Sequence, residues 1–111
     1  IREKIFGPDH PEVVIVLSNR ASLLQKQGKY DEGDLLFLRM IEIDEKTLGP
    51  SHPDLAKSLN DRAVLLYAQE NYMEAIPLLE RALAIRTKKL GENHPDTVST
   101  RNNLEVVRKE V

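Results

Sequence analysis

One six-residue segment, Gly49-Pro50-Ser51-His52-Pro53-Asp54, sets the organisation of the chain because two close copies of it are present. The copies are Gly7-Pro8-Asp9-His10-Pro11-Glu12 and Gly91-Glu92-Asn93-His94-Pro95-Asp96. The spacing from Gly7 to Gly49 and from Gly49 to Gly91 is 42 residues in both cases. An internal repeat of this length predicts a solenoid, in which each unit packs on its neighbours.

The repeat continues between these loops, where residues of the same type recur at the same offset. The matching pairs are Leu17 and Leu59, Ala21 and Ala63, Leu24 and Leu66, Tyr30 and Tyr72, Glu32 and Glu74, Leu36 and Leu78, and Ile43 and Ile85. A second interruption falls in the middle of each unit, at Gly28-Lys29 and at Glu70-Asn71. Each unit is therefore predicted to be a hairpin of two helices.

Local signals predict where the helices begin and end. Pro53 suits the first turn of a helix, where its missing N–H is not needed, and Asp54 complements the positive end of the helix dipole. Asn71, followed by Glu74, resembles a capping box at the start of a second helix. Gly49 and Gly91 are expected to close the second helix of each unit in a left-handed conformation. The predicted helices span residues 11–27, 30–48, 53–69, 72–90 and 95 onward.

Composition narrows the class of protein. The chain has 111 residues, of which 41% are hydrophobic, which suits one domain with a modest core. Its 16 basic and 18 acidic residues are intermixed, so nucleic acid is not an expected partner. The longest aliphatic run, residues 13–17, is too short to span a membrane, and no membrane contact is predicted. The lack of cysteine slightly favours a cytoplasmic protein.

The chain resembles a known family in three stretches besides its loops. These are Leu59-Asn60-Asp61-Arg62-Ala63-Val64-Leu65-Leu66, Tyr72-Met73-Glu74-Ala75 and Arg81-Ala82-Leu83-Ala84-Ile85-Arg86. They are similar to the 42-residue tetratricopeptide (TPR) repeats of kinesin light chains. The resemblance implies an all-α, right-handed superhelical solenoid of antiparallel helix hairpins with about 2.5 repeats. Similar repeats occur in many arrays, including sensor regions of nucleotide-binding receptor-type ATPases, so the resemblance implies a binding partner and leaves its identity open.

Arginine replaces the usual leucine at one position of the resembling pattern. Arg20 and Arg62 both stand there, directly before a small alanine. Their aliphatic stems are expected to cover the core while the guanidinium reaches a neighbouring carboxylate. The alternative is a row of guanidinium groups that faces a ligand.

The last segment differs from its counterpart in a way that predicts a capping helix. Arg101, Glu105 and Arg108 occupy the positions of Leu59, Ala63 and Leu66 in the preceding unit. A polar face of this kind suits the end of a repeat array, where the outer side of the helix meets water.

Residues 1–7 match residues 85–91, so they are predicted to be the end of an earlier second helix, cut from a longer protein. The predicted division of the single domain 1–111 is residues 1–6 as the tail of that helix, 7–48 as repeat 1, 49–90 as repeat 2 and 91–111 as the capping helix.

The three histidines do not predict a metal site, because each lies in its own loop and consecutive loops are separated by a hairpin. Their His-Pro-Asp and His-Pro-Glu contexts resemble the loop of J-domains, but they recur with the repeat and open helices, which a structural role explains. The serines have no histidine partner or elbow motif, and no phosphate-binding glycine loop is present. No enzyme activity, cofactor or metal is predicted.

Polar residues recur at matching places of the first helices and predict a partner-binding groove. Ser18-Asn19, Asn60-Asp61 and Asn102-Asn103 form this ladder, which the resemblance places on the concave surface. Regularly spaced donors and acceptors can pair the backbone of an extended peptide. The candidate groove residues are Ser18, Asn19, Ser22, Gln25, Lys57, Asn60, Asp61, Val64, Tyr67, Ser99, Asn102, Asn103 and Val106. Alternatively, the asparagines bond neighbouring helices to each other.

These observations predict a non-catalytic protein–protein interaction module that holds a peptide or protein partner in the groove of the first helices. The alternative is a structural spacer or C-terminal cap of a longer array, including a sensor array of a nucleotide-binding receptor-type protein. Self-association through an open N-terminal edge is also expected, because an uncovered first helix exposes apolar surface. The apolar residues of that edge are Val13, Val14, Val16 and Leu17.

Overall fold

The computed structural model describes the backbone of residues 11–111 and the side chains of residues 17 and 19–111. This part of the chain contains five α-helices and no β-strand. They are α1 (Pro11–Lys26), α2 (Tyr30–Leu48), α3 (Pro53–Ala68), α4 (Tyr72–Leu90) and α5 (Pro95–Lys109). The all-α prediction is confirmed. Every predicted start of a helix, and every predicted end of the first four helices, agrees with the structure within one residue. The predictions for residues 1–10 lie outside the described residues.

Successive helices pack against each other in chain order, from α1 on α2 to α4 on α5. The first helices of neighbouring units, α3 and α5, also touch directly. The resulting body measures 43 × 32 × 19 Å along its principal axes. This is the layered arrangement of stacked helical hairpins that the 42-residue period predicts.

Histidine side chains start two of the helices. The imidazole Nδ1 of His52 accepts a hydrogen bond of 3.0 Å from the backbone N–H of Asp54, and Nδ1 of His94 accepts one of 3.1 Å from Asp96. Proline follows each histidine at the first helical position. The His-Pro-Asp segments therefore act as helix N-caps, which confirms their structural interpretation.

Two of the predicted helix-end features differ in the structure. Asn71 makes no side-chain capping bond, so the predicted capping box is wrong. Its backbone N–H instead bonds the carbonyl of Leu66 at 2.8 Å, and this tight exit from α3 holds ψ at 64°, short of the extended conformation that a capping box needs. Gly49 and Gly91 have the predicted positive φ, at 92° and 94°. Their ψ values of 165° and 158° lie in a region that only glycine adopts readily, outside the left-handed helical one.

The core is a chain of three clusters, each built from three consecutive helices. Helices α1, α2 and α3 share Leu17, Ala21, Phe37, Met40, Ile43 and Leu65. Helices α2, α3 and α4 share Ile41, Leu55, Ala56, Leu59, Ala82 and Ile85. Helices α3, α4 and α5 share Ala63, Leu66, Ala75, Leu79, Leu104 and Val107. Because neighbouring clusters share helices, the apolar interior runs without a break through the described residues.

Leu17 was expected to lie at an exposed edge, and this expectation is wrong. Its side chain is 7% exposed, because it faces α2 and α3 and packs with Phe37 and Leu65. The side chains of Val13, Val14 and Val16 lie outside the described residues.

An ion pair joins the first repeat to the second. Nε of Arg62 in α3 lies 2.7 Å from Oδ1 of Asp34 in α2, and the two side chains are only 16% and 22% exposed. This confirms for Arg62 the predicted pairing with a neighbouring carboxylate. Ile76 and Leu104 occupy the corresponding positions 42 residues later, and both contribute to the apolar cluster shared by α3, α4 and α5. One interface is therefore charged where the next is apolar.

Arg62→Leu is expected to destabilise the fold by about 1–3 kcal/mol, because it leaves the carboxylate of Asp34 half-buried and unpaired. The double variant Asp34→Ile/Arg62→Leu copies the Ile76–Leu104 pair and is expected to return to within about 1 kcal/mol of the parent or to exceed it. Urea unfolding of the three proteins measures both effects. A double variant as unstable as the single one would contradict the equivalence of the two interfaces.

The charge of a buried residue is also reversed between the two repeats. Oδ2 of Asp44 accepts a 3.0 Å hydrogen bond from the hydroxyl of Ser58, and Asp44 is 3% exposed. At the corresponding positions, Nη1 of the buried Arg86 donates a 2.7 Å bond to Oγ1 of Thr100. Burial raises the pKa of Asp44, and the nearby Asp54 adds to this, while the bond from Ser58 and the charge of His52 act in the opposite direction.

The raised pKa of Asp44 means that folding favours its protonated form. This contribution is fully present below the usual value of 3.8 and is lost as the pH rises through the folded-state pKa. Asp44→Asn, which is neutral at every pH, is expected to be more stable than the parent at pH 7 by roughly 0.5–1 kcal/mol. Its advantage should shrink as the pH falls towards 3.8.

Thermal unfolding at several pH values measures this effect, with Asp61→Asn as the matched control. Asp61 pairs with Lys57 at the surface of α3, so its replacement is expected to cost about 0.3–0.5 kcal/mol at pH 7. A loss of stability in Asp44→Asn at pH 7 would show instead that the bond from Ser58 outweighs the desolvation of the carboxylate.

Candidate functional site

The candidate groove residues lie on the first helices, α1, α3 and α5. Most of them reach the surface. The exposed ones are Asn19, Ser22, Lys57, Val64, Ser99, Asn102 and Val106, and the half-buried ones are Gln25, Asn60, Asp61, Tyr67 and Asn103. The side chain of Ser18 lies outside the described residues.

Two asparagines of the polar ladder bond to each other across α3 and α5. Oδ1 of Asn60 accepts a 3.2 Å hydrogen bond from Nδ2 of Asn103 and a 3.3 Å bond from the hydroxyl of Thr100. The same Thr100 oxygen accepts the bond from Arg86, so a buried guanidinium anchors the network. Asn60 and Asn103 therefore link neighbouring helices, as the alternative interpretation of the ladder predicts.

Asn102 differs from both of these asparagines. Its side chain is exposed and makes no hydrogen bond to another described residue. It is therefore free to pair with groups from outside the chain. Lys57 and Asp61 lie between these extremes, because they form a 3.3 Å ion pair one turn apart on α3. Such a surface pair is weak and can open at small cost.

An apolar pocket lies where α3 faces α5. It has a volume of about 120 Å³ and is lined by Ala63, Val64, Tyr67, Leu79, Asn103, Val106 and Val107. Four of the candidate groove residues are brought together here, Val64 and Tyr67 from α3 and Asn103 and Val106 from α5. Val64 and Val106 remain 40% and 46% exposed, so the pocket opens to solvent between two valines. We call it the α3/α5 pocket.

A second tyrosine supports the wall of this pocket. The ring of Tyr72, at the start of α4, lies 5.4 Å from the ring of Tyr67 with an interplanar angle of 55°. Tilted aromatic pairs of this kind are favourable and restrict the ring. Desolvation and the nearby carboxylates of Glu110 and Glu70 raise the pKa of Tyr72, so its hydroxyl stays neutral at physiological pH. Tyr72 therefore supports the pocket by packing against Tyr67.

Sequence reasoning did not identify several residues that build this site. Thr100 and Arg86 hold Asn60 in place, and Leu79 and Val107 form the floor of the pocket. The signal available in the sequence was Arg86 itself, a charged residue at a position where its counterpart Asp44 carries the opposite charge.

The described residues contain no group of three histidine, cysteine, aspartate or glutamate side chains that could hold a metal ion. Among them, no helix is long and apolar enough to cross a membrane.

The model of the tetratricopeptide repeat family matches residues 12–86 and, in a second register, residues 54–110. The chain belongs to the tetratricopeptide repeat family. TPR repeats generally mediate protein–protein interaction, and the family is generally non-catalytic. A search of curated proteins found no match.

Solved structures of TPR proteins share this fold. The protein BtubC (BKLC) from P. vanneervenii is 25% identical with a TM-score of 0.87, over 94% of this chain and 42% of that one. A protein from Podosopora anserina described as a kinesin light chain with nearly identical TPR-like repeats is 27% identical, with a TM-score of 0.81 over 98% and 52%. A variant form of it is 26% identical, with a TM-score of 0.80 over 93% and 49%. The chain thus spans about half of each solved structure, and the predicted likeness to kinesin light chain-like TPR repeats is confirmed.

Asn60→Ala is expected to destabilise the fold by about 1–2 kcal/mol, because it leaves the amide of Asn103 and the hydroxyl of Thr100 without their acceptor. Asn102→Ala removes the same side chain from an exposed position and is expected to change stability by no more than about 0.5 kcal/mol. Urea unfolding compares the two variants directly. Equal losses would contradict the division of the ladder into a linking and a free asparagine.

Proposed function

We propose that this TPR domain binds an extended peptide of a protein partner along α1, α3 and α5, with one apolar side chain of the peptide in the α3/α5 pocket. The pocket is the observation that carries the proposal. It is apolar, it opens to the surface, and all of its lining residues except Leu79 come from the helices that bear the polar ladder. A liquid water molecule occupies about 30 Å³, so a cavity of about 120 Å³ has room for a small aliphatic group.

The polar residues beside the pocket support an extended rather than a helical ligand. Asn102 and Ser99 are exposed on α5, and Lys57 is exposed on α3. An extended peptide presents backbone N–H and C=O groups at regular intervals, and each loses water when it enters a groove. Side chains with both donors and acceptors, such as Asn102, offset that loss.

The second candidate is a structural one, in which the chain is a spacer or C-terminal cap of a longer array. The linking role of Asn60 and Asn103 favours it, as does the polar outer side of α5. Nη2 of Arg108 lies 3.0 Å from Oε2 of Glu80, so this arginine stays at the surface of α4. On this view residues 7–48 and 49–90 are the repeats, residues 91–111 are the cap, and the array serves a receptor-type sensor or associates with its own copies.

The proposed setting of either function is the cytoplasm, which the absence of cysteine favours.

A titration of the isotope-labelled chain with short peptides tests the groove. We expect peptides with a central leucine to shift the amide signals of residues 63–67 and 103–107, and peptides with a central serine to bind at least about tenfold more weakly, because the pocket offers the hydroxyl few partners. Val106→Glu is expected to weaken the leucine peptides by at least about tenfold. Val111→Glu makes the same change at an exposed valine outside the pocket and is expected to alter binding by less than about twofold.

Equal effects of the two glutamate variants would contradict binding in the α3/α5 pocket. Signals that shift only on α2 and α4, or not at all, would favour the spacer. Light scattering over a dilution series then distinguishes a monomeric spacer from a self-associating one, because self-association depends on protein concentration.

A further inference from the structure

Arg86, in α4, is a buried cation without a carboxylate partner among the described residues. Its side chain belongs to a residue that is only 7% exposed, and it takes part in none of the ion pairs there. Its Nε is buried and has no hydrogen-bond partner. Burying a guanidinium in this way costs free energy, because the group loses water without gaining a counter-charge. Stability alone therefore does not explain an arginine at this position.

Arg86 determines how the hydroxyl of Thr100 is used. Nη1 of Arg86 lies 2.7 Å from Oγ1 of Thr100 and 3.1 Å from the carbonyl oxygen of Asp96. A guanidinium has no acceptor, so the Thr100 oxygen must accept this bond, and its own hydrogen is left for another group. Thr100 donates that hydrogen to Oδ1 of Asn60, 3.3 Å away. The chemistry of arginine thus fixes the direction of the hydrogen bond to Asn60.

The orientation of two asparagine amides follows from this direction. Because Thr100 donates, the atom of Asn60 that faces it must be the amide oxygen. The same oxygen accepts a 3.2 Å bond from Nδ2 of Asn103, which also lines the α3/α5 pocket. The other halves of the two amides, Nδ2 of Asn60 and Oδ1 of Asn103, have no hydrogen-bond partner among the described residues and are not buried. Beside the pocket, α3 therefore offers a donor and α5 an acceptor.

The equivalent place one repeat earlier carries the opposite charge and the opposite hydrogen bond. Asp44 and Ser58 stand 42 residues before Arg86 and Thr100. A carboxylate only accepts, so Ser58 donates its hydroxyl hydrogen to Oδ2 of Asp44, at 3.0 Å. Its oxygen is left as an acceptor for other groups. The charge at this one position of the second helix therefore decides whether the hydroxyl hydrogen points towards that helix or away from it.

We infer that Arg86 is a positioning residue that fixes the hydrogen-bonding polarity of the groove between α3 and α5, so that this part of the groove binds a neutral amide group. The oxygen of the amide accepts from Nδ2 of Asn60, and its N–H donates to Oδ1 of Asn103. A carboxylate is disfavoured, because it would face the oxygen of Asn103. A peptide supplies such an amide in its backbone, so the ligand rests on the proposed function, whereas the role of Arg86 does not.

Hydrogen exchange of the side-chain amides, measured by NMR in the ligand-free chain, tests the role of Arg86. We expect the bonded Nδ2 hydrogen of Asn103 to exchange at least about threefold more slowly than the Nδ2 hydrogens of Asn60. The variant Arg86→Asp copies the charge of Asp44, so that Thr100 donates to position 86 and accepts from Asn60. Both asparagine amides then turn over, and the slow exchange is expected to move from Asn103 to Asn60.

Thr100→Val removes the hydroxyl that carries the effect, and it decides the question even if Arg86→Asp folds poorly. Either orientation of the two amides then forms the one bond between them, so the difference in exchange between Asn60 and Asn103 is expected to fall below about twofold. Thr97→Val is the matched control, because the Thr97 hydroxyl is buried without a hydrogen-bond partner. It is expected to leave the exchange pattern unchanged.

Equal exchange of the two asparagines in the parent chain overturns the inference. A difference that Arg86→Asp and Thr100→Val both leave intact also overturns it, because the amides would then be oriented without the arginine.

Peptides with blocked ends and a central leucine test the ligand. Each backbone amide is replaced in turn by an ester, which removes one N–H donor and keeps the shape of the chain. We expect one of these esters to weaken binding by at least about fivefold, because it leaves Oδ1 of Asn103 unpaired. In Asn103→Ala the same ester is expected to cost less than about twofold, whereas in Asn102→Ala it keeps its full cost.

An ester that costs the same in Asn103→Ala and in Asn102→Ala would overturn the assignment of the amide ligand. If no leucine peptide binds, the proposed function and the amide ligand both fail, and hydrogen exchange in the ligand-free chain still decides the role of Arg86.

Discussion

A single hairpin of helices in this chain cannot bury its apolar residues alone, and the rest of the structure depends on this constraint. Helix α3 shows how it is met, because its adjacent leucines pack in two different clusters of the core. Leu65 packs with α1 and α2, whereas Leu66 packs with α4 and α5. Helix α3 therefore needs a neighbour on both sides, and each cluster of the core spans three helices. The interior is continuous because a hairpin contributes side chains both to the interface with the repeat before it and to the interface with the repeat after it.

Polar residues at these interfaces distinguish one repeat from the next. Asp34 pairs with Arg62, whereas Ile76 and Leu104, at the corresponding positions, belong to one apolar cluster. If a copy of α3 occupied the position of α5 on α4, Arg62 would take the place of Leu104. Its charge would then lie near Ile76 and would be unpaired. Apolar contacts between repeats of similar shape do not discriminate strongly, so the buried charges favour the native order of the hairpins over its permutations. The repeats are thus alike in shape and specific in chemistry.

The sequence predicted most of the fold because period, glycine and proline signals are local and recur. It also predicted the pairing of Arg62, since a long cation on an apolar face must reach a carboxylate. It failed at Asn71, because the residue also belongs to the C-terminal turn of α3, in which its backbone N–H bonds the carbonyl of Leu66 and prevents the extended conformation of a capping box. Two features of the site depend on distances between helices, which the spacing of residues along one helix does not determine. They are the hydrogen-bond network of Asn60, Thr100 and Asn103 and the volume of the α3/α5 pocket.

The position of the pocket follows from the residue types that the three first helices carry at one equivalent position. Val64 and Val106 are equivalent, and together they make the mouth apolar between α3 and α5. The third equivalent residue is Ser22, so the corresponding place between α1 and α3 pairs a hydroxyl with a valine. A peptide that follows all three helices meets a polar place first and an apolar one second. Burying an unpaired polar group of the peptide costs more free energy between α3 and α5 than between α1 and α3. This difference favours one direction of the peptide over the other.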